Sequence, residues 1–304
     1  MAFAAFGSNN SSKSSKPTKT GKVVIALLAP GLAYLGAFFL TPLIALIMVS
    51  LQIPDPAGGY AEYVPALEIG NYGYVIAEYL PHILRSFAYA LAATVLALLI
   101  SYPLAYFIGV KARPWPMLQK LMLTLVIAPF FISFLLRTLA WKQLFSNESW
   151  IVTTLQDSGL LDQSQYVVGT PFMVIFGLTY NFIPFMTLPL YTSLERLDIR
   201  YLEAGSDLYA SPAKVFRKVT LPLSMPGIIS GTLLTFIPIA GDYVNASGDF
   251  LGSSSTAMIG NVIESNYLQI NDYPSASALS VLLMGVILVL VSVYVRKSGT
   301  EDLL

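Results

Sequence analysis

The 304-residue chain has no cysteine, a single histidine (His82), and only 11% charged residues. Without cysteine there can be no disulfide, no thiolate nucleophile and no Cys-based zinc site. With one histidine and neither GxSxG nor HExxH, the common nucleophile–base pairs and zinc constellations of an enzyme cannot be assembled. His82 follows Pro81 at the edge of an apolar run, where an interfacial role suits it. There is also no GxxxxGK[ST] phosphate loop. "TGKVV" offers Gly21 and Lys22 but lacks the upstream glycine and the hydroxyl residue that would hold magnesium, so the chain carries no ATPase site of its own. Seventeen basic residues against seventeen acidic give zero net charge, which excludes the broad basic field that nucleic-acid binding requires.

What remains is mostly apolar. Hydrophobic residues make up 55% of the chain, and an ordinary soluble domain carries about 25% charged residues, so the chain belongs in a bilayer. Crossing one takes about 20 helical residues. Six stretches are long enough: Val23 to Leu51, Ile83 to Val110, Leu118 to Phe145, Thr170 to Leu194, Leu223 to Ala246, and Ser277 to Val295. Prolines inside them, including Pro30, Pro42, Pro129, Pro184 and Pro238, are tolerable within a helical bundle. Residues 1–22 are polar, Ser-rich and basic, and are expected to be a disordered tail. The apolar run after them is about twice the length of a signal-peptide core, favouring an uncleaved first span. The membrane domain is expected over 23–297, with a short tail at 298–304.

Basic residues are retained in cytoplasmic loops. An N-terminus placed inside puts 14 of the 17 Lys and Arg on the cytoplasmic side, leaving Arg85, Arg137 and Lys142 outside, while eleven of the 17 acids fall on the outer segments. Both termini are then cytoplasmic, and so is the segment of densest charge, "YLEAGSDLYASPAKVFRKVTLPLSMPG" at 201–227. Leu194, Leu197, Tyr201 and Leu208 recur at helical spacing, which predicts an amphipathic helix over 194–210. Ser211 as N-cap and Pro212 as first helical residue start a second short helix, which Pro222 is expected to stop. Two readings fit this cytosolic helix pair: a well-capped surface loop, or a lever whose second helix docks in a partner's cleft.

Polar groups at bilayer depth are costly and tend to face a cavity or a partner. Tyr180 and Asn181 fall near the middle of the fourth span, and Asp242, Tyr243 and Asn245 near the outer end of the fifth. A carboxylate, aromatic faces and amide acceptors would together suit a cationic amine. The alternative for the tyrosines and Asn181 is packing and interhelical hydrogen bonding, and Arg137 is a candidate partner for Asp242. Trp141 and Trp150 suit an outer aromatic belt.

Glu203-Ala204 and "LYASPAKVFRKVTLPLSMPGI" from Leu208 to Ile228 resemble the EAA loop of bacterial ABC importer permeases. Glu203, Ala204, Val219, Leu221 and Pro222 match by position; Gly205 replaces the usual second Ala and Tyr209 the usual Gly. Because a tyrosine takes the left-handed conformation only at a cost, the turn is expected to be built differently here. "APFFISFLLRTLAWKQLF", "YNFIPFMTLPLYTSLERLD" and "GDYVNASGDFLGSSSTAMIGNVI" resemble the polyamine-type branch of the same family. The resemblance implies an all-α, six-helix type I (MetI-like) permease fold in a bacterial plasma membrane. Its coupling loop would span about 195–222, with Glu203, Ala204, Gly205, Tyr209, Ser211, Pro212, Lys214, Phe216 and Arg217 engaging the engine. It further implies a second permease subunit, two cytoplasmic ATPase subunits that hold ATP and Mg, an external solute-binding protein, and no cofactor in this chain. Polyamines are the implied cargo, with an iron complex, thiamine or an aminophosphonate as alternatives, and a passive channel as the reading outside this class.

Overall fold

The computed structural model describes residues 20–162 and 165–297. Most of the tail expected over 1–22, and the tail expected at 298–304, lie outside the described residues. One unit of the chain, up to Met48, consists in its described part of helix α1 (Thr20–Leu35), a wider π-helical turn (Gly36–Leu40) and α2 (Thr41–Val49). Its span covers Leu27–Val49.

The second unit begins at Val49. A short antiparallel hairpin, β1 (Ile53–Pro54) with β2 (Tyr63–Val64), leads into α3 (Gly70–Tyr106). At 1.5 Å per residue, the 37 residues of α3 extend about 55 Å, more than the bilayer's hydrocarbon needs. The helix begins thirteen residues before the apolar run that announced it and passes through Pro81 and Pro103 without a break. One face of α3 carries Ala90, Ala93, Ala97, Ser101 and Ala105, all buried. Small side chains on one stripe let another backbone approach closely, the usual means of helix association in lipid. The helix lying there is α7 (Pro171–Glu195), which buries Val174, Leu178, Met186, Leu190 and Leu194 against it. Helix α11 (Met225–Ala240) closes this core by packing on both α7 and α3. Gly231 permits the approach, since a Cβ there would stand 3.1 Å from the Met186 carbonyl oxygen. Helix α13 (Tyr273–Lys297) packs on α3 and on the short α12 (Ile259–Ser265) through Val75, Ile259, Val262, Ala278 and Leu279.

Among the described residues four helices are long and apolar enough to cross a membrane, and six spans result if two bent pairs each count as one. The third expected span is one of these. It is broken into α4 (Pro116–Ile127) and α5 (Phe134–Leu144), bent by 93°. The cause is local: residues 128–131 tighten into a 3-10 turn around Pro129, and Ile132 and Ser133 then adopt extended backbone. Pro129 supplies no amide to the helical ladder, and its ring clashes with the carbonyl four residues back, which is enough to break a helix. The fifth span is likewise bent by 64°, between 212–223 and 225–240, and its helix ends at Ala240 instead of reaching Ala246. Between these elements lie α6 (Trp150–Asp157), α8 (Ile199–Asp207), α9 (Pro212–Val215) and α10 (Leu221–Leu223).

Candidate functional site

The helix pair forms, with corrections to its boundaries. Helix α7 runs only to Glu195, and α8 begins at Ile199 under a cap from Asp198, whose carboxylate accepts from the Arg200 amide at 3.0 Å. Helix α8 ends in a Schellman motif: the Ala210 amide donates to the Gly205 carbonyl and the Tyr209 amide to the Ser206 carbonyl. This motif requires a left-handed residue at the position of Tyr209, whose φ is +54°. The turn is therefore built as a glycine would build it, with tyrosine bearing the strain, contrary to the expectation of a different turn. Gly205 sits at the contact between the two helices, where an added Cβ would come within 3.0 Å of a Val215 methyl.

Ser211 and Pro212 start α9 as expected, but the Ser211 side chain makes no cap; its backbone carbonyl accepts from Lys214 and Val215 instead. Nor does Pro222 stop the helix. Phe216–Thr220 form a π-helical turn, and Leu221 before the proline keeps helical dihedrals. The wider turn relieves the clash a proline ring makes in an α-helix. The chain breaks two residues later, at Ser224. Glu203, Ala204, Lys214 and Arg217 are exposed, and Tyr209 is 99% exposed.

Phe216 joins this pair to the span bundle. Its ring meets Tyr102 edge to face with centroids 5.5 Å apart, and Tyr106 at 6.4 Å, both near the C-terminal end of α3. The Tyr102 hydroxyl lies 2.7 Å from the Ser224 hydroxyl at the bend, and Thr220 is fully buried. A second anchor was not visible in the sequence. Arg113 donates to the carbonyls of Leu194 (2.6 Å), Leu197 (2.9 Å), Glu195 and Gly109. It thereby satisfies the carbonyls that a helix leaves orphaned at its C-terminus. Sequence shows Arg113 only as one more basic loop residue, because three of its four partners are backbone atoms more than eighty residues away.

The polar residues of the fourth and fifth spans divide into two groups. Asn245 donates to Asp242 through its amide at 2.8 Å and its side chain at 3.0 Å. Asn181 on α7 donates to Asn245 Oδ1 and to Thr138 Oγ1 on α5, each at 3.1 Å. Asp242, Asn245, Asn181 and Thr138 thus form one buried chain of hydrogen bonds linking α5, α7 and the loop after α11. Asp242 is only 7% exposed. Tyr180 and Tyr243 are not part of this chain. Tyr180 packs edge-on against Trp141, which also meets Phe145 and Phe176, so Tyr180 and Trp141 belong to one partly exposed aromatic cluster. The Tyr243 ring is half exposed, and its carbonyl accepts from Asn261. Arg137 is buried, but no ion pair joins it to Asp242; its Nε and Nη1 have no hydrogen-bond partner among the described residues.

One helical turn along α7 from Asn181, Phe185 lines an open cavity of about 830 Å³. Phe130, Leu188 and Leu234 make its walls apolar, and Arg196 and Tyr201 line it where α7 gives way to α8. The chamber is mostly apolar and reaches the base of the helix pair.

Residues 125–297 match the family described as binding-protein-dependent transport system inner membrane component. The chain belongs to that family. It is a multi-pass inner-membrane permease component of a binding-protein-dependent ABC transport system. This permease is 35% identical to the spermidine/putrescine transport system permease protein PotB of Haemophilus influenzae over 92% of its own length and 94% of the relative's. It is equally similar to PotB of Escherichia coli K12, with 92% and 95% covered. Among solved structures, a bacterial alginate ABC transporter in complex with its periplasmic protein matches at a TM-score of 0.64 and 18% identity, covering 92% of this permease and 94% of that chain. The MetNI methionine transporter in its inward-facing form matches at 0.55 and 19%, covering 73% and 94%. These neighbours support the expected all-α, MetI-type fold.

Proposed function

We propose that this permease forms one half of the translocation pathway of an ATP-driven polyamine importer and receives its drive through the helix pair α8–α10. The observation that carries the cargo is the similarity to spermidine/putrescine permeases over nearly the whole chain. Support for the drive comes from Phe216, which ties an exposed helix pair to α3 through ring contacts and so can transmit displacement rather than absorb it.

In this reading a second permease subunit completes the pathway. Two cytosolic ATPases, which hold the ATP and Mg, engage Glu203, Ala204, Gly205, Tyr209, Ser211, Pro212, Lys214, Phe216 and Arg217. A solute-binding protein delivers cargo at the other face. The distribution of Lys and Arg places both termini and the helix pair in the cytoplasm. ATP-driven closure of the engines tilts the spans through α9 and the π-helical turn, and the chamber beside α7 alternates between the two faces. Asp242, Asn245 and Asn181, with Tyr180 and Tyr243 nearby, form the selective part of the path, where cargo ammonium groups exchange with the internal hydrogen bonds.

Uptake of labelled putrescine or spermidine by cells carrying the permease, its neighbouring ATPase and the binding protein tests this. Uptake that requires ATP and falls at least tenfold in Glu203→Ala, with the complex still assembled, is the expected result. Copurification without any ATP-hydrolysing subunit, or ATP-dependent uptake of a different solute, would overturn the drive or the cargo respectively.

A further inference from the structure

At the end of α3 opposite the helix pair lies a second cavity, of about 440 Å³. His82 and Tyr102 stand twenty positions apart on this one helix, about 30 Å at 1.5 Å per residue, so the cavity and the Phe216 anchor lie on opposite sides of a bilayer's hydrocarbon. Tyr79 and His82 form one wall, their rings edge to face with centroids 6.1 Å apart. Asn261, Glu264 and Gln269, from α12 and the turn after it, form the facing wall, and Ser253 lies on the rim.

Two groups in this cavity lack partners. The Glu264 carboxylate is partly exposed and makes no hydrogen bond or ion pair among the described residues. His82 Nδ1 likewise has no hydrogen-bond partner among them, but it is buried and out of reach of a ligand, so His82 offers the cavity its ring. No Lys or Arg lines the cavity; Arg85, nearby on α3, is turned onto the Ala257 carbonyl at 2.9 Å. Asp242 contrasts with this: both its oxygens accept from Asn245 and almost none of its surface is reachable. An ammonium group has three donors and no acceptor, and is attracted by a carboxylate and by an aromatic face. A cation arriving at this end of the bundle therefore meets Glu264 before Asp242.

We propose that this cavity is a receiving site for one protonated amine of the cargo, with Glu264 as counter-ion and the Tyr79 and His82 rings as the wall for the methylene stem. The inference rests on the polyamine reading above and adds to it the place where the cargo first contacts this chain. Binding of labelled 1,4-diaminobutane to the assembled permease–ATPase complex in nanodiscs, without the solute-binding protein, tests it. Glu264→Gln is expected to weaken binding at least tenfold. Glu264→Asp should weaken it less than threefold, and 1,4-butanediol, which has the same length but no charge, should fail to compete. The ATPase activity of each complex reports whether the variant has assembled. Wild-type affinity in Glu264→Gln, or no saturable binding by a wild-type complex that imports diamines in cells, overturns the receiving site and leaves the cargo reading intact. A wild-type complex that imports some other solute and ignores diamines overturns both.

Discussion

The ring of Phe216 stands nearly perpendicular to that of Tyr102, at 85° and 5.5 Å between centroids. This contact joins a residue of the π-helical turn after α9 to the longest helix of the bundle, and Tyr106 extends it on the same side. Phe216 is partly buried, and in the proposed function its ring contacts carry the displacement of the helix pair.

Replacing Phe216 with Ala should therefore separate two properties. Each edge-to-face contact is worth roughly 0.5–1.5 kcal/mol beyond area burial, so the assembled complex should lose only a few degrees in thermal midpoint. Substrate-stimulated transport should fall at least tenfold while basal ATP hydrolysis by the partner persists. Phe216→Tyr, which keeps the ring, should restore transport.

Tyr209→Gly should act in the opposite direction on stability. A left-handed L-residue costs roughly 1–2 kcal/mol, and glycine returns roughly 0.5–1 kcal/mol of that as chain entropy. A net gain of about 0.5–1 kcal/mol should appear in thermal unfolding of the purified chain. Tyr209→Val, β-branched at a positive φ, should lower the midpoint instead.

Arg113→Lys should behave more like Arg113→Ala than like wild type. One ammonium cannot reproduce a planar fork that reaches four carbonyls around the end of α7. Hydrogen bonds to a charged group contribute about 1.5–3 kcal/mol, and a loss of about 2–3 kcal/mol should lower the thermal midpoint by roughly 5–10 °C. Hydrogen exchange should quicken at the C-terminal end of α7 and in α8.

Gly260→Ala should disturb the polar chain without replacing any of its members. The added Cβ would stand 2.6 Å from the carbonyl oxygens of both Gly241 and Asp242, so the loop carrying Asp242 must move off α12. Overpacking of this kind costs about 1–3 kcal/mol. Uptake should fall together with stability, whereas Gly285→Ala, with open space around its Cβ position on α13, should leave both unchanged.

The class of this protein was legible in composition, because few charges and long apolar runs admit only a bilayer as solvent. The helix pair was legible too, since charge density, Ser211-Pro212 and amphipathic spacing are local signals. Its joints were not. Pro222 reads as a stop, yet the π-helical turn before it leaves room for the ring, and no local pattern marks a π-helical turn. Tyr209 reads as a departure from the glycine turn, yet the hydrogen bonds of the Schellman motif hold it in the glycine conformation.

Sequence alone settled that the chain is helical and crosses a membrane repeatedly, because hydropathy is a property of short segments. Tertiary structure decided which polar groups are already engaged and which remain free. Asp242 stands three residues from Asn245, whose side chain in turn meets Asn181 from another helix, while Glu264 faces an open cavity. Whether a carboxylate has a partner depends on side chains brought together from distant parts of the chain, so only the folded bundle assigns Asp242 to the interior and leaves Glu264 free.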